Sequence, residues 1–532
     1  MTTLTQRQPL AHLGTLLRFS LRYNRLRLVI WLVLTVGMVG FIGSYYLSLD
    51  PAALNDLAAA ANIDSMKALL GWVSNTAPLG GKVWIKSWMF IALMLGVGMV
   101  FLVTHNLRAD EDNGRTELFR SRPLGLHSSL MSTLVMTVGL CVVVGVGIGL
   151  VGVAMKFGIP TGTTASTDPD PLGSWVFGWS IAAVGLLGVG VAVLTNELMP
   201  SSSAANGVGA GLFGVFYIIR LAGDIKAEAA TWVSPLGWAE KMDPWGANRF
   251  WPLVLVIVLS AVLVLVGWLI EARRDYGGSL FAARLGHPDA KPAMTSVWGL
   301  AVHQQRVAFG AWAGGVVVFS ALLGSVTTMM SDMMQQAGFA LTSTAGFMLA
   351  FMGLAVAAFS VQSAATMALD DSHGLLERQL AGGISRLGWA LQRLAVTIVG
   401  SVLLLVISGV VFALAYGAGL GDYSDFGRLF ATVFAYIPSL LILVGITVLG
   451  LGWWPRVTVA VSWTCFGACW FIFLLGVILH LPDKVLNKLP FMSVSALPDV
   501  TIPWATIIVT LVVGVVLVGI GLAGFRRRNI PA

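Results

Sequence analysis

The sequence predicts an all-α integral membrane protein with twelve transmembrane helices, arranged as two parallel six-helix repeats. Three observations predict it. Of 532 residues, 57% are hydrophobic and only 11% are charged, and the mean hydropathy of +0.84 lies far above what a water-exposed surface with its charged coat allows. Apolar runs of roughly 18 to 25 residues, the length that crosses about 30 Å of hydrocarbon, recur twelve times along the chain. Two of the polar loops between them carry nearly the same pattern 260 residues apart: Asp110, Glu111, Gly114 and Glu117 in one, Asp370, Asp371, Gly374 and Glu377 in the other.

Taken in order, the first apolar stretch, 28–48, follows an Arg-rich segment from Arg18 to Arg27. It is longer than the apolar region of a signal peptide and is read as an uncleaved first helix. Leu10 to Arg27 carries Leu13, Leu16, Leu17 and Leu21 on one side and Arg18, Arg22 and Arg25 around the other. That pattern suits an amphipathic entry helix in the headgroup plane; a plain positive-inside flank would have the same residues. The remaining spans of the first half fall at 84–105, 130–154, 175–195, 204–221 and 251–270. Those of the second half fall at 307–326, 343–363, 394–416, 429–449, 457–479 and 503–524.

With the N-terminus inside, every arginine except Arg220, Arg249 and Arg428 falls on the cytoplasmic side, and the Lys/Arg bias is what sets orientation. Both termini are then cytoplasmic, in a multi-pass protein of the plasma (inner) membrane. Because six is even, the halves enter and leave on the same face, so they are parallel repeats about an axis along the membrane normal. Arg25 and Trp31 recur as Arg306 and Trp312, Pro235 as Pro490, and Arg273-Arg274-Asp275 as Arg527-Arg528-Asn529. The halves are assigned to 1–285 and 298–532, with a cytoplasmic linker at 286–297. The polar stretches are too short to hold a soluble domain, which usually takes 50 to 250 residues.

Several chemistries are excluded or disfavoured. No G-x-x-x-x-G-K-[ST] pattern occurs; Gly80-Gly81-Lys82 lacks both the spacing before it and the Ser or Thr after it. The chain is therefore read as a non-enzyme that binds no cofactor. Charged residues such as Lys86, Glu197 and Arg220 lie at span ends, whereas an ion-coupled carrier is expected to bury a carboxylate mid-span. The net charge of +7 reports topology, and no nucleic acid is expected as a partner. Cys141, Cys465 and Cys469 all lie in apolar runs and are read as small core residues rather than metal ligands. The methionines at 329, 330, 333 and 334 are read as deformable apolar contacts rather than copper ligands.

The repeated loops remain as the main functional handle. Acids at the start of a short helix favour its dipole, but a merely solvated loop has no reason to keep Gly114 with Gly374 and Glu117 with Glu377. The pattern resembles the cytoplasmic coupling loop of ABC-2 type permeases, between the second and third spans of each half. The order of Arg-rich entry helix, coupling loop and outer segment before the sixth span is similar to that family over essentially the whole chain. Ser234-Pro235-Leu236-Gly237-Trp238, Asn248-Arg249-Phe250-Trp251-Pro252 and Arg273-Arg274-Asp275-Tyr276-Gly277-Gly278 resemble actinobacterial permeases of polyketide or tetronasin-type antibiotic exporters. The second loop departs from the first with Asp371 for Glu111 and Leu380 for Arg120.

That resemblance implies a permease subunit driven by two copies, or two kinds, of a separate ABC ATPase that holds ATP and Mg. Asp110, Glu111, Gly114, Glu117, Asp370, Asp371, Gly374 and Glu377 would be the ATPase-coupling residues. In the resembled family the second and fifth spans of each half face each other, so Phe90, Met94, Phe213, Tyr217, Phe351, Trp470 and Phe473 are candidates for an apolar route; core packing or lipid contact is the other reading of each. Trp232, Trp238, Trp245 and Trp251 are read as an anchored, partly re-entrant segment at the interface. An apolar wall takes amphiphilic small molecules without tight specificity, which gives drug or antibiotic export as the expected function. The alternatives are export of a lipid or glycan envelope component and, in a different class, an ion-coupled secondary carrier.

Overall fold

The computed structural model describes residues 10–49, 54, 70–115, 117, 124–125, 127–160, 171–226, 228–273, 278–281, 289, 296–329, 341–475, 490–492 and 503–528. Arg120 and Pro123, residues 274–277, Asn529, most of the linker at 286–297 and Met330, Met333 and Met334 lie outside them. Among the described residues all regular structure is helical, apart from one isolated antiparallel bridge between Pro78 and Pro160.

The chain divides into two compact units, Met1–Leu285 and Gly286–Ala532. The first contains α1 (Leu13–Leu47), α2 (Leu79–Asn106), α3 (Ser128–Ala154), α4 (Leu172–Leu198), α5 (Ser202–Lys226) and α6 (Trp251–Glu271). The second contains α7 (Val297–Met329), α8 (Leu341–Ser372), α9 (Arg386–Leu420), α10 (Phe426–Trp453), α11 (Thr458–Leu475) and α12 (Trp504–Arg527). Among the described residues eleven helices are long and apolar enough to cross a membrane; α11, apolar over Thr458–Phe473, is shorter. The protein is thus a multi-pass membrane protein.

The expected entry helix at Leu10–Arg27 is not separate from the first span. α1 runs unbroken from Leu13 to Leu47 through a π-helical stretch at Val33–Gly37, a single-turn insertion of the kind that marks a local irregularity. At about 1.5 Å per residue, its 35 residues exceed the hydrocarbon thickness, so its Arg-bearing turns extend past the apolar layer. No proline or glycine pair at Arg27 stops the helix, and intrahelical bonding does not end where hydropathy does.

In the first unit α4 and α2 are the most buried spans. α4 packs against α2, α3, α5 and α6; α1 lies on α3 and α2; α5 lies on α2. The second unit repeats these neighbours, with α10 on α8, α9, α11 and α12, α7 on α9 and α8, and α11 on α8. Small residues permit the closest approaches, as expected where lipid gives no hydrophobic drive between helices. A Cβ on Gly188 would lie 2.2 Å from the Gly96 carbonyl, one on Gly178 2.1 Å from the Gly145 carbonyl, and one on Gly452 2.2 Å from the Gly521 carbonyl. Hydroxyl pairs join α8 to α9 in the second unit: Ser360 to Ser401 and Ser363 to Thr397, each at 2.7 Å.

At the end of the first unit away from the acidic loop, the segment between α5 and α6 folds inward. Trp232 stacks on Trp251 with centroids 5.1 Å apart, and Trp238 Nε1 donates to the Trp232 carbonyl at 2.6 Å. Trp245 is 6% exposed and packs edge-on against Phe157 and Phe177. Trp251 is half exposed, whereas Trp245 is a core residue and not the interfacial anchor the sequence suggested.

Candidate functional site

α2 ends at Asn106, and a short helix, Arg108–Asp112, begins the first acidic loop. Arg108 is 2% exposed, and its guanidinium organises this end of the unit. Nη1 donates to Glu111 Oε2 and to the Gly278 carbonyl, both at 2.9 Å, and Nη2 donates to the Pro200 carbonyl at 2.8 Å. Asp112 pairs with Arg108 Nε at 3.5 Å and accepts the Ser202 backbone N–H at 2.7 Å. One side chain thereby ties the loop to the connection between α4 and α5 and to the segment after α6. That segment runs beside the end of α4, with Leu280 and Phe281 amides donating to the Glu197 and Leu198 carbonyls.

Asp110 faces Arg115 at 3.4 Å, and Arg115 also donates to the Tyr23 hydroxyl of α1 at 3.2 Å. These partners, the Tyr23 hydrogen bond first, push the Arg115 pKa further up. Gly114 sits at φ 69° with no atom near its missing Cβ, and beyond it Glu117 is exposed.

In the second unit Asp370 and Asp371 lie in the last turn of α8, before the loop itself, and a similar result is reached by other residues. Asp370 receives Arg393 Nη2 of α9 at 2.8 Å, and Asp371 receives Arg528 Nη2, just past α12, at 2.8 Å. Arg528 Nη1 donates to the Leu451 carbonyl of α10 at 3.0 Å, and Arg386 Nη1 of α9 donates to the Arg528 carbonyl at 2.6 Å. Gly374, at φ 67°, opens the short helix Leu375–Leu380, on which Glu377 is exposed and Leu376 is buried.

The eight loop residues thus fall into three kinds. Asp110, Glu111, Asp370 and Asp371 are each engaged by an arginine; Gly114 and Gly374 are left-handed turns; Glu117 and Glu377 face outward. Sequence reasoning treated the acids alike and missed Arg108, Arg393 and Arg528. The i,i+3 and i,i+4 spacing from Arg108 to Glu111 and Asp112 was a readable signal; the reach of Arg528 across 157 residues was not.

The proposed wall residues divide as well. Phe351 makes edge-on contacts with Phe347, Trp470 and Phe473, at 5.4, 6.2 and 5.0 Å, so the second-unit candidates form one aromatic cluster between α8 and α11. In the first unit Phe213 is buried against Gly96 and Phe216, Met94 and Tyr217 are half-buried, and Phe90 is 54% exposed.

One turn beyond Tyr217, Arg220 is fully buried and was not foreseen as such. Its Nε donates to Glu240 Oε2 at 2.6 Å, and it also pairs with Asp224. Glu240, on the short buried helix Pro235–Glu240, further accepts the Trp72 amide. Next to it Asp243 accepts the Ser74 amide and hydroxyl and the Ala247 amide. A guanidinium at this depth is tolerable because carboxylates surround it. The pairing joins α5 to the segment before α6 and to residues 72–74.

Polytopic helices in two units with the same helix neighbours describe a membrane transport protein. The chain belongs to the family described as multidrug efflux system permease Rv1217c, C-terminal domain, which it matches over residues 13–270 and 294–526. A relative, the multidrug efflux system permease protein Rv1217c of Mycobacterium tuberculosis (strain ATCC 25618 / H37Rv), is 30% identical over 535 residues, covering 97% of this chain and 94% of its own.

Proposed function

We propose that this chain is the permease subunit of an ATP-driven ABC exporter that moves amphiphilic compounds, drugs or antibiotics, out of the cell. Two ATPase subunits, carrying ATP and Mg, dock on the two acidic loops. The observation that carries this reading is the build of those loops: in each unit the loop is fastened to the ends of neighbouring spans by an arginine, Arg108 buried in the first and Arg528 partly buried in the second, while one acid, Glu117 or Glu377, stays outward. A loop so fastened passes a push to the helices instead of absorbing it. Family membership and the relative's name support efflux as the activity.

The rest of the reading follows from that arrangement. Twelve spans form two parallel repeats, supported by the recurring helix neighbours and by the match of one family to both halves. The halves are joined by the linker at 286–297, the loops and both termini are cytoplasmic, and the membrane is the plasma membrane. The likeness to ABC-2 permeases of polyketide or tetronasin-type exporters is part of the same proposal. The aromatic cluster around Phe351, Trp470 and Phe473 and the half-buried Met94 and Tyr217 supply apolar surface for an amphiphile.

The test is Glu117→Arg combined with Glu377→Arg. Both residues are exposed, so the protein should fold as the wild type does, while ATPase copurification and drug efflux are lost. Survival of both activities in the folded double variant would overturn the docking assignment.

A further inference from the structure

A cavity of about 340 Å³ opens between α1, α2 and α5 at the acidic-loop end of the first unit. Its lining is divided by chemistry. Trp31 of α1 and Phe101 of α2 supply an apolar wall, and the Trp31 ring lies where a Cβ on Gly98 would meet it at 2.0 Å, so that glycine seats the indole. Arg27, His105, Ser202 and Asn206 supply the polar side. Arg27 is the one formally charged residue in the lining, and it gives a single donor to Asn24 Oδ1 at 2.9 Å, whereas a guanidinium has five.

Two buried polar atoms of this lining, His105 Nε2 and Asn206 Oδ1, have no hydrogen-bond partner among the described residues. Buried polar atoms are almost always satisfied, and each one left open calls for an explanation. The carboxylates nearest the cavity are occupied: Asp110 by Arg115, and Asp112 by Arg108 and the Ser202 amide.

We infer that this cavity binds the anionic head of an amphiphile: a phosphate or similar group on Arg27, a donor and acceptor pair on Asn206 and His105, and an apolar tail along Trp31 and Phe101. A carboxylate or phosphate meets a guanidinium through short, charge-assisted bonds. A hydroxyl on the head, the P–OH of a monoanionic phosphate ester or the hydroxyl of a glycerol headgroup, donates to Asn206 Oδ1. A cationic head would face Arg27 with no free carboxylate to offset it. Two sources supply such a molecule, an anionic bilayer lipid and an exported compound. The second source rests on the exporter reading above; the binding site itself does not.

The experiment uses the full chain in phosphatidylcholine nanodiscs, with dodecyl phosphate as the probe and dodecyltrimethylammonium as its cationic counterpart. Saturable binding of dodecyl phosphate is expected, weakened about tenfold by Arg27→Gln and also by Asn206→Leu, with the cation binding more weakly than the anion. Thermal melting of both variants separates lost binding from lost folding, and because the two changes lie on different helices, one folded variant suffices. Unchanged binding in a folded variant, or equal binding of the cation, would overturn the site.

Phosphatidylglycerol added to the nanodiscs then distinguishes the sources. Competition identifies a lipid site. Absence of competition, with reduced cellular efflux of dodecyl phosphate in Arg27→Gln, identifies a cargo site; neither effect would count against the site as a functional one. The Glu117→Arg, Glu377→Arg double variant should still bind the probe, so a failure of ATPase docking and a failure of this site give different results.

Discussion

The Arg528 guanidinium donates to Asp371 at 2.8 Å while its second nitrogen holds the Leu451 carbonyl at 3.0 Å. One side chain after the last helix therefore fixes the second acidic loop to the end of α10. In the first unit Arg108 performs the corresponding task from the loop itself, reaching the Pro200 and Gly278 carbonyls. The two units reach the same connection with the arginine on opposite partners, which explains why residue-by-residue matching of the loops does not reveal it.

Arg528→Gln should loosen the second loop. The side chains of Arg528 and Asp371 are 14% and 13% exposed, so the loss of a charged hydrogen bond should cost about 1–3 kcal/mol. Thermal melting should show the lower stability, limited proteolysis should cut first at the loop, and Arg528→Lys should restore part of it. Unaltered proteolysis would mean that the pair does not hold the loop.

Arg220→Leu should be among the most damaging single changes, because it leaves Glu240 and Asp224 buried without their cation. Breaking a buried pair from one side typically costs about 3–5 kcal/mol. The triple change Arg220→Leu, Asp224→Asn and Glu240→Gln, which removes both stranded carboxylates, should recover much of the folded yield. A triple variant no better than the single would show that Arg220 acts through packing, not charge.

Gly114 and Gly374 occupy left-handed backbone at φ 69° and 67° with open space around them. Substitution there tests conformation alone, since no side chain would clash. Alanine should cost about 1–2 kcal/mol at either site, and valine more, while asparagine, which tolerates this region, should be close to wild type. Equal melting temperatures for the asparagine and valine variants would contradict this account.

Gly188→Ala and Gly452→Ala should each destabilise their unit, since the added carbon would lie 2.2 Å from a backbone carbonyl of the neighbouring helix. Overpacking of this kind costs about 1–3 kcal/mol. Gly139→Ala, with nothing within 4 Å, is the matched control and should be neutral or slightly stabilising. Folded yield and melting temperature of the three variants decide the matter.

The sequence by itself determined the helical class, the membrane setting and the position of both acidic loops, because hydropathy, span length and a repeated polar pattern are local properties that survive without coordinates. It also placed Glu117 and Glu377 in short loops, where the structure leaves them exposed. Only the tertiary structure decided which acids are engaged and by what: Arg528 and Asp371 are 157 residues apart, and Arg220 meets Glu240 through a helix whose inward fold no periodicity announces. It decided as well that the Arg-rich start is continuous with the first span, and that Phe213 fills a core while Phe351, Trp470 and Phe473 gather into one cluster. The physical reason is the same in each case. Apolar runs report how much of a helix avoids water, but lipid and protein neighbours satisfy that demand equally, so the partner of a side chain is fixed only when the helices pack.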